Sequence, residues 1–316
     1  MLSPSPLFRF YRPHERLRPY ISAYFFADFP EGPPVEALMY PEWAHIRIAL
    51  AGQWRIQIGD TVSATPDCWS VITGPTSRGT RVSARPPAST ISIGLLPLGW
   101  ARLIGRSAAP YADRIEPLAS LFPDRAEPLR QVLLEASREG PGDDDFACAI
   151  LDRFFQSLEA AGNPVPPLLL RAHELLLDPA IATVEQFASE LGRSGRQLSR
   201  ISADLFGFPP KLLLRRQRFV RSLMALHDHP DKPWSMLIDG GYYDHSHFVR
   251  DFRQFMDMSP SQFQAQARLH VDRVADVRML QLGVSHQTLQ AGESPDHRPR
   301  ATGARLPLDR SVTFRN

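Results

Sequence analysis

Cysteine is almost absent from this chain: Cys68 and Cys148 are the only two in 316 residues. They form no Cys-x-x-Cys pair, which excludes a disulfide scaffold and a thiolate metal cage. Two small buried side chains in a reducing compartment are the expectation. Histidine is scarce in the first half, where His14 and His45 stand alone before residue 162, and a closed metal site needs three or four ligands. No metal and no cofactor are therefore expected. Long apolar runs are missing too, and none approaches the roughly 20 residues that cross a bilayer. The opening MLSPSPLFRFYRPHERLRPY interrupts its apolar residues with proline and arginine, unlike a signal-peptide core. A soluble cytoplasmic protein with no membrane partner is predicted. Net charge is nearly absent as well, with 36 Lys and Arg against 34 Asp and Glu. Any attraction to a charged partner must come from where the charges sit.

What is present divides at a proline-rich stretch. Up to about residue 100 the chain reads as strands and turns. Ile46, Ile48 and Leu50 alternate with His45, Arg47 and Ala49, and Trp54, Ile56 and Ile58 alternate with Arg55 and Gln57. Such period-2 patterns mark half-buried strands, with turns expected at Ala51-Gly52 and Gly59-Asp60. Further β-like pieces run from Trp69 to Thr73, Thr80 to Ser83 and Thr90 to Leu95, punctuated by Gly-Pro and Pro-Pro. A compact antiparallel sandwich or small barrel covers strands of this length. From Leu98 the period becomes helical, predicting short helices over 98–104, 127–137 and 146–158. Gly162-Asn163-Pro164-Val165-Pro166-Pro167 is a stiff linker by composition. The predicted class is α+β: a β-rich domain with short helices over 1–161, a linker over 162–167, an all-α domain over 168–269, and a mostly disordered tail over 270–316. Removing 281–316 is expected to leave folding intact.

The all-α part reads as two helix-turn-helix units joined by a long basic helix. In TVEQFASELGRSGRQLSRISADLFG, Val184, Phe187, Ala188 and Leu191, then Leu198, Ile201 and Leu205, keep helical spacing with one break. The break places Gly192 at a helix end and Ser194 at the next N-cap. Pro210 suits the first turn of the linker helix, expected to reach about His227. From Arg193 to Arg221 eight positive side chains face Asp204 alone. In the second unit Gly240-Gly241 supplies the turn, Asp244 an N-cap, and Phe248, Phe252 and Phe255 an apolar stripe.

Here the pattern becomes specific. GYYDHSHFVRDF followed by MDMSPSQF, with Leu198-x-Arg200, Gly207, Pro210-Lys211 and Arg218-Phe219, resembles the AraC/XylS-type transcription regulators over roughly residues 168 to 268. Ser202 stands where that family has an aromatic, Leu237 where it has alanine, and Pro233 lies close to the start of the helix. Tyr40-Pro41-Glu42, Gly74-Pro75-Thr76 and Leu-Pro-Leu-Gly-Trp resemble the subset with a cupin-like N-terminal sensor.

The resemblance implies a sequence-specific DNA-binding regulator, biased towards activation. Its implied partners are double-stranded DNA, RNA polymerase, a small-molecule effector and a second copy as homodimer. The first turns of each recognition helix are the base-reading candidates: Arg196, Gln197, Ser199 and Arg200, then His245, Ser246, Val249 and Arg250. Arg200 and Arg250 are equally suited to phosphate contact or to bracing the helix. Lys211, Arg215, Arg218 and Arg253 are expected on phosphates, with a structural ion pair the alternative for Arg218. Trp43, His45, Arg47, Trp54 and Trp69 are candidates to line an effector pocket. The rival reading is an enzyme, or a cysteine-based sensor or repair domain, fused to a DNA-binding domain. It needs a nucleophile beside a base, and Cys68 has no histidine or basic neighbour in sequence. No catalytic residue is expected.

Overall fold

The computed structural model describes residues 6–64, 69–137, 144–229, 232–266, 271–282 and 286–290. Two long strands, β4 (His45–Ile58) and β7 (Thr80–Leu95), pair antiparallel along most of their length and carry the N-terminal half. Each holds one partner at each end. β2 (Ile21–Phe29) joins the C-terminal part of β7 and is flanked by β1 (Leu7–Tyr11), while β3 (Val35–Met39) joins the N-terminal part. β6 (Trp69–Thr73) joins the start of β4 and is flanked by β8 (Ile115–Pro117), while β5 (Thr61–Ala64) joins its end.

The expected turn at Ala51-Gly52 and the expected break at Pro86-Pro87 both lie inside continuous strands. Pairing slips between Ala51↔Ser89 and Gln53↔Arg85, so both strands bulge together. Gly52 adopts φ +80° there, and a Cβ on it would stand 2.5 Å from the Cβ of Ala88. Bulges bend a strand and sharpen its twist. One sheet thereby becomes two arms around an interior.

The alternation in β4 is real, but the polar positions of its first half do not face water. Ile46 and Ile48 join Tyr24, Phe26, Ile72, Ile91 and Ile93 on the outer face, packed against α2 (Ala126–Ser137) and α3 (Asp144–Ala161) through Leu133, Leu151 and Phe155. His45 and Arg47 face the enclosed side with Phe25, Trp54, Trp69 and Ser92. Between sheet and helices, α1 (Pro97–Gly99) widens into a π-turn through Ile104.

The C-terminal half starts with α4 (Pro167–Leu177), one residue before the expected start. α5 (Val184–Glu190) and α6 (Gly195–Phe206) form the first unit, each opened by a reciprocal capping box, Thr183 with Gln186 and Ser194 with Gln197. Gly192 between them takes φ +63°, a conformation that a side chain strains. α7 (Pro210–Asp228) is the linker helix. The second unit departs from its expected form. Only a 3-10 turn, Trp234–Met236, precedes the turn, and the recognition helix α8 (His245–Met256) follows. Pro233 lacks the N–H that a helix through this point would use, and Gly240-Gly241 ends the segment a few residues later. α9 (Pro260–Gln266) closes the unit.

The halves share their cores. Trp43 and Leu96 pack among Phe187, Leu198, Phe206 and Leu213 of the first unit, and Tyr40 packs among Phe219, Phe252, Phe255 and Phe263 of the second. His173 on α4 sits edge-on to Trp43 at 6.3 Å and beside Phe206, and burial pushes its pKa down to about 4. A base whose folded pKa lies below its unfolded value contributes stability above about pH 6.5 that is lost as the pH falls towards 4. Unfolding by urea at pH 7 and pH 5 is expected to differ by on the order of 2 kcal/mol, and His173→Phe to flatten part of that slope. An unchanged slope in the variant would remove His173 as a cause.

The predicted tail is also packed in part. α10 (Val271–Leu282) lies along β1, and beyond Gln281, where no packed chain was expected, His286, Gln287 and Thr288 are buried. The Gln287 side chain donates to the Leu95 carbonyl at 3.0 Å, and Thr288 accepts from Gln217 of α7 at 2.8 Å. Residues 291–316 lie outside the described residues. Removing 281–316 is therefore expected to lower stability by about 2 kcal/mol, since it strips several buried hydrogen bonds. A thermal melt of the truncated chain checks this.

Candidate nucleic-acid interface

Both recognition helices present polar first turns outward. On α6, Arg196, Gln197, Ser199 and Arg200 are exposed while Leu198, Ser202, Leu205 and Phe206 are buried. On α8, His245, Ser246 and Arg250 are exposed, Val249 is half-buried, and Phe248, Phe252 and Phe255 form the inner stripe. Local geometry narrows the choice among these residues. Gln197 closes the capping box, its carboxamide oxygen accepting the Ser194 N–H at 3.0 Å, so only its NH2 remains free to read a base. The Ser199 hydroxyl donates back to the Gly195 carbonyl at 2.9 Å. Arg196 and Arg200 carry the free donors. His245 leans on Trp234, with ring centroids 5.6 Å apart, which orients its imidazole. Tyr243, one residue before the N-cap of α8, is 93% exposed.

The basic run of the linker helix divides once its partners are seen. Arg216 is fully buried under the N-terminal domain. Arg221 pairs with Asp239 at 2.6 Å. Arg218 donates to the Gly241 carbonyl at 2.6 Å and covers the Tyr242 ring at 4.7 Å. Arg215 pairs with the buried Asp251 and reaches Gln254 at 2.7 Å. Two of the expected phosphate contacts, Arg215 and Arg218, are thus engaged in bracing the second unit on α7. A helix side that faces another helix uses its charges there. Lys211 and Arg253 remain exposed. Lys211, Arg215, Arg218, His247 and Arg250 nonetheless line one open cleft of about 730 Å³ between the N-terminus of α5 and the face of α8, with Glu185 and Asp251 the acidic members. Arg253 and the α6 arginines lie outside it.

The N-terminal domain grips both recognition helices from behind. The Ala108 N–H and the Ser107 hydroxyl donate to Asp204 near the end of α6, each at 2.8 Å. The Gly79 N–H donates to the Phe255 carbonyl near the end of α8 at 2.6 Å. These contacts leave the first turns uncovered.

Of the candidate pocket residues, His45, Arg47, Trp54 and Trp69 meet in one cavity inside the sheet. Trp43 does not join them. It is held in the inter-domain core, where the Arg216 guanidinium lies 3.8 Å from its ring centroid. A period-2 pattern cannot tell the inside of a barrel from the seam behind it. Arg47 is neutralised by Glu42 at 2.8 Å and also donates to Thr73 at 2.7 Å. Burial raises the Glu42 pKa against the opposing effect of Arg47, and lowers that of His45.

Residues 187–266 match a family model described as a helix-turn-helix domain. The chain carries an AraC-type helix-turn-helix domain. This domain makes the protein a DNA-binding transcription regulator. Among solved structures, ToxT from Vibrio cholerae O395 is similar over 77% of this chain and 97% of its own, at 13% identity and a TM-score of 0.42. Unsaturated fatty acid bound wild-type ToxT from Vibrio cholerae strain SCE256 is similar over 84% and 97%, at 12% identity and a TM-score of 0.41. A cupin superfamily protein from Desulfitobacterium hafniense DCB-2 is similar over 30% of this chain and 82% of its own, at 12% identity and a TM-score of 0.23. Comparison with curated proteins gives no match. No helix among the described residues is long and apolar enough to cross a membrane.

Proposed function

We propose that this AraC-type regulator reads two short DNA motifs with α6 and α8, and that its N-terminal sheet senses an effector and sets how the two helices stand. Arg196 and Arg200 face guanine edges, where one bidentate pair discriminates by about 1–3 kcal/mol. His245 and Arg250 do the reading in the second unit, with Ser246 and Val249 beside them. Lys211 and Arg253 contact phosphates and position the protein without specifying sequence. α7 has 19 residues, about 28 Å at 1.5 Å per residue, close to the ~34 Å between major-groove faces one DNA turn apart. The observation that carries the reading is the pairing of exposed, capped first turns with a brace at the far ends of both helices. Activation through contact with RNA polymerase is the sign that the family resemblance favours, and the N-terminal domain is the candidate surface for a homodimer.

Selection of genome fragments by the full-length protein at two salt concentrations tests this. A recurrent site with two motifs about one helical turn apart is the expected result. A single motif removes base reading from one unit, and binding that ignores salt is incompatible with phosphate contacts. The cysteine-based alternative gains nothing from Cys148. Burial and the neighbouring Asp144 and Asp152 push its thiol pKa up, away from a reactive thiolate. Cys68 lies outside the described residues.

A further inference from the structure

The cavity inside the sheet is small, and C-terminal chain closes one side of it. Its two lobes measure about 80 and 60 Å³, well below the roughly 300 Å³ at which small-molecule pockets begin. Val274 of α10 borders both lobes and Arg278 borders the inner one. Leu282 is buried against Phe10 and Ala23, and Val274, Val277 and Phe25 pack against that cluster. Gln281 accepts from the Phe10 N–H at 2.6 Å. α10 therefore stands where a ligand of useful size would have to go.

The same segment ties the sheet to the linker helix. Gln287 donates to Leu95 at 3.0 Å and Gln290 to Ser22 at 3.3 Å, both in the sheet half. Thr288 accepts from Gln217 on α7 at 2.8 Å, Leu289 packs on the core of the second unit, and the His286 ring lies 5.7 Å from that of Tyr40. Arg278 joins the two pieces by donating to Gln290 at 2.7 Å. Moving α10 disturbs this strap between sheet and linker helix.

We propose that α10 and the turn at Gln287–Leu289 are a built-in occupant of the sensor cavity, which an uncharged aromatic effector displaces, freeing the linker helix from the sheet. This rests on the sensor role proposed above for the sheet. The chemistry of the walls selects the class. Phe8, Phe25, Phe29, Trp54 and Trp69 supply ring surface. Arg47 is already matched by Glu42, and Arg278, the other cation on the cavity wall, sits on α10 and leaves with it, so an anionic ligand that displaces α10 finds no free cation there. The buried Trp69 indole N–H has no hydrogen-bond partner among the described residues, which suits one acceptor oxygen or nitrogen on the ligand. Ligand and strap exclude each other, so effector binding and strap release are one equilibrium.

N-phenyl-1-naphthylamine, an uncharged aromatic amine that brightens in apolar surroundings, is the probe. Its affinity is measured for the full chain, for a chain ending at residue 270, and for full-length Val274→Ala/Leu282→Ala. The expected result is at least tenfold tighter binding to the shortened chain and a smaller gain in the double variant. A drop in tryptophan-to-probe energy transfer in Trp54→Phe and in Trp69→Phe places the probe, and a synthetic 271–290 peptide expels it. Should the shortened chain fail to fold, the double variant carries the comparison. Equal affinity in the full-length and altered chains, or a peptide that does not compete, overturns the proposal. Absence of site-specific DNA binding by the full chain both with and without the probe, and by the double variant, overturns the regulator reading instead, and the probe results do not depend on it.

Discussion

Arg216→Ala is expected to lower the unfolding free energy by about 2–5 kcal/mol, whereas Arg216→Met costs less than about 1.5 kcal/mol. The contrast follows from what surrounds the side chain. Arg216 is fully buried, lies flat on Trp43, and donates to the Thr76 carbonyl at 2.9 Å and the Glu42 carbonyl at 3.4 Å. No carboxylate among the described residues pairs with it directly. Its Nε and second terminal nitrogen have no partner among the described residues, and burial pushes its pKa down to about 9. Stacking on an indole recovers about 2 kcal/mol of such a cost when the cation is desolvated. The charge is therefore nearly neutral to stability, while the volume is not. Alanine leaves a void between Trp43 and Phe208 where the two halves meet, and methionine fills most of it. Urea unfolding of both variants decides. Similar large losses in the two would show that the two carbonyl bonds, not the filling of space, hold the seam.

That seam was the least legible part of the molecule. The cap at Ser194 was legible from local spacing and the start of α4 to within one residue, because caps and proline act within a few residues, whereas the Thr183–Gln186 box was not read. The two long strands were read as four pieces, since Gly52 and Pro86-Pro87 are turn signals everywhere except in a paired bulge. Alternation located His45 and Arg47 on one face of a strand but left open what that face meets. The same limit applies to Ser202, fully buried with no partner for its hydroxyl among the described residues. Its departure from the family pattern was visible in the sequence, its surroundings were not. The charge of the linker helix misled for a related reason. Asp251 and Asp239, which engage Arg215 and Arg221, come from the second unit, and no count along α7 includes them.

The division of those cations gives the second large effect. Arg196→Ala is expected to lower affinity for the preferred site 10- to 100-fold while leaving affinity for unrelated DNA nearly unchanged, because a bidentate base contact contributes about 1–3 kcal/mol of discrimination. Lys211→Ala is expected to weaken all sequences alike and to reduce the salt slope by about one contact. Arg221→Ala serves as the control from the same run. Its guanidinium is held by Asp239 at 2.6 Å, so its loss lowers stability and leaves the salt slope in place. Binding curves for the preferred site and for a scrambled duplex, each at two salt concentrations, separate the three outcomes. Should Arg196→Ala weaken both duplexes equally, Arg196 is a phosphate contact and the reading of bases by α6 passes to Arg200, one turn further along the same exposed face.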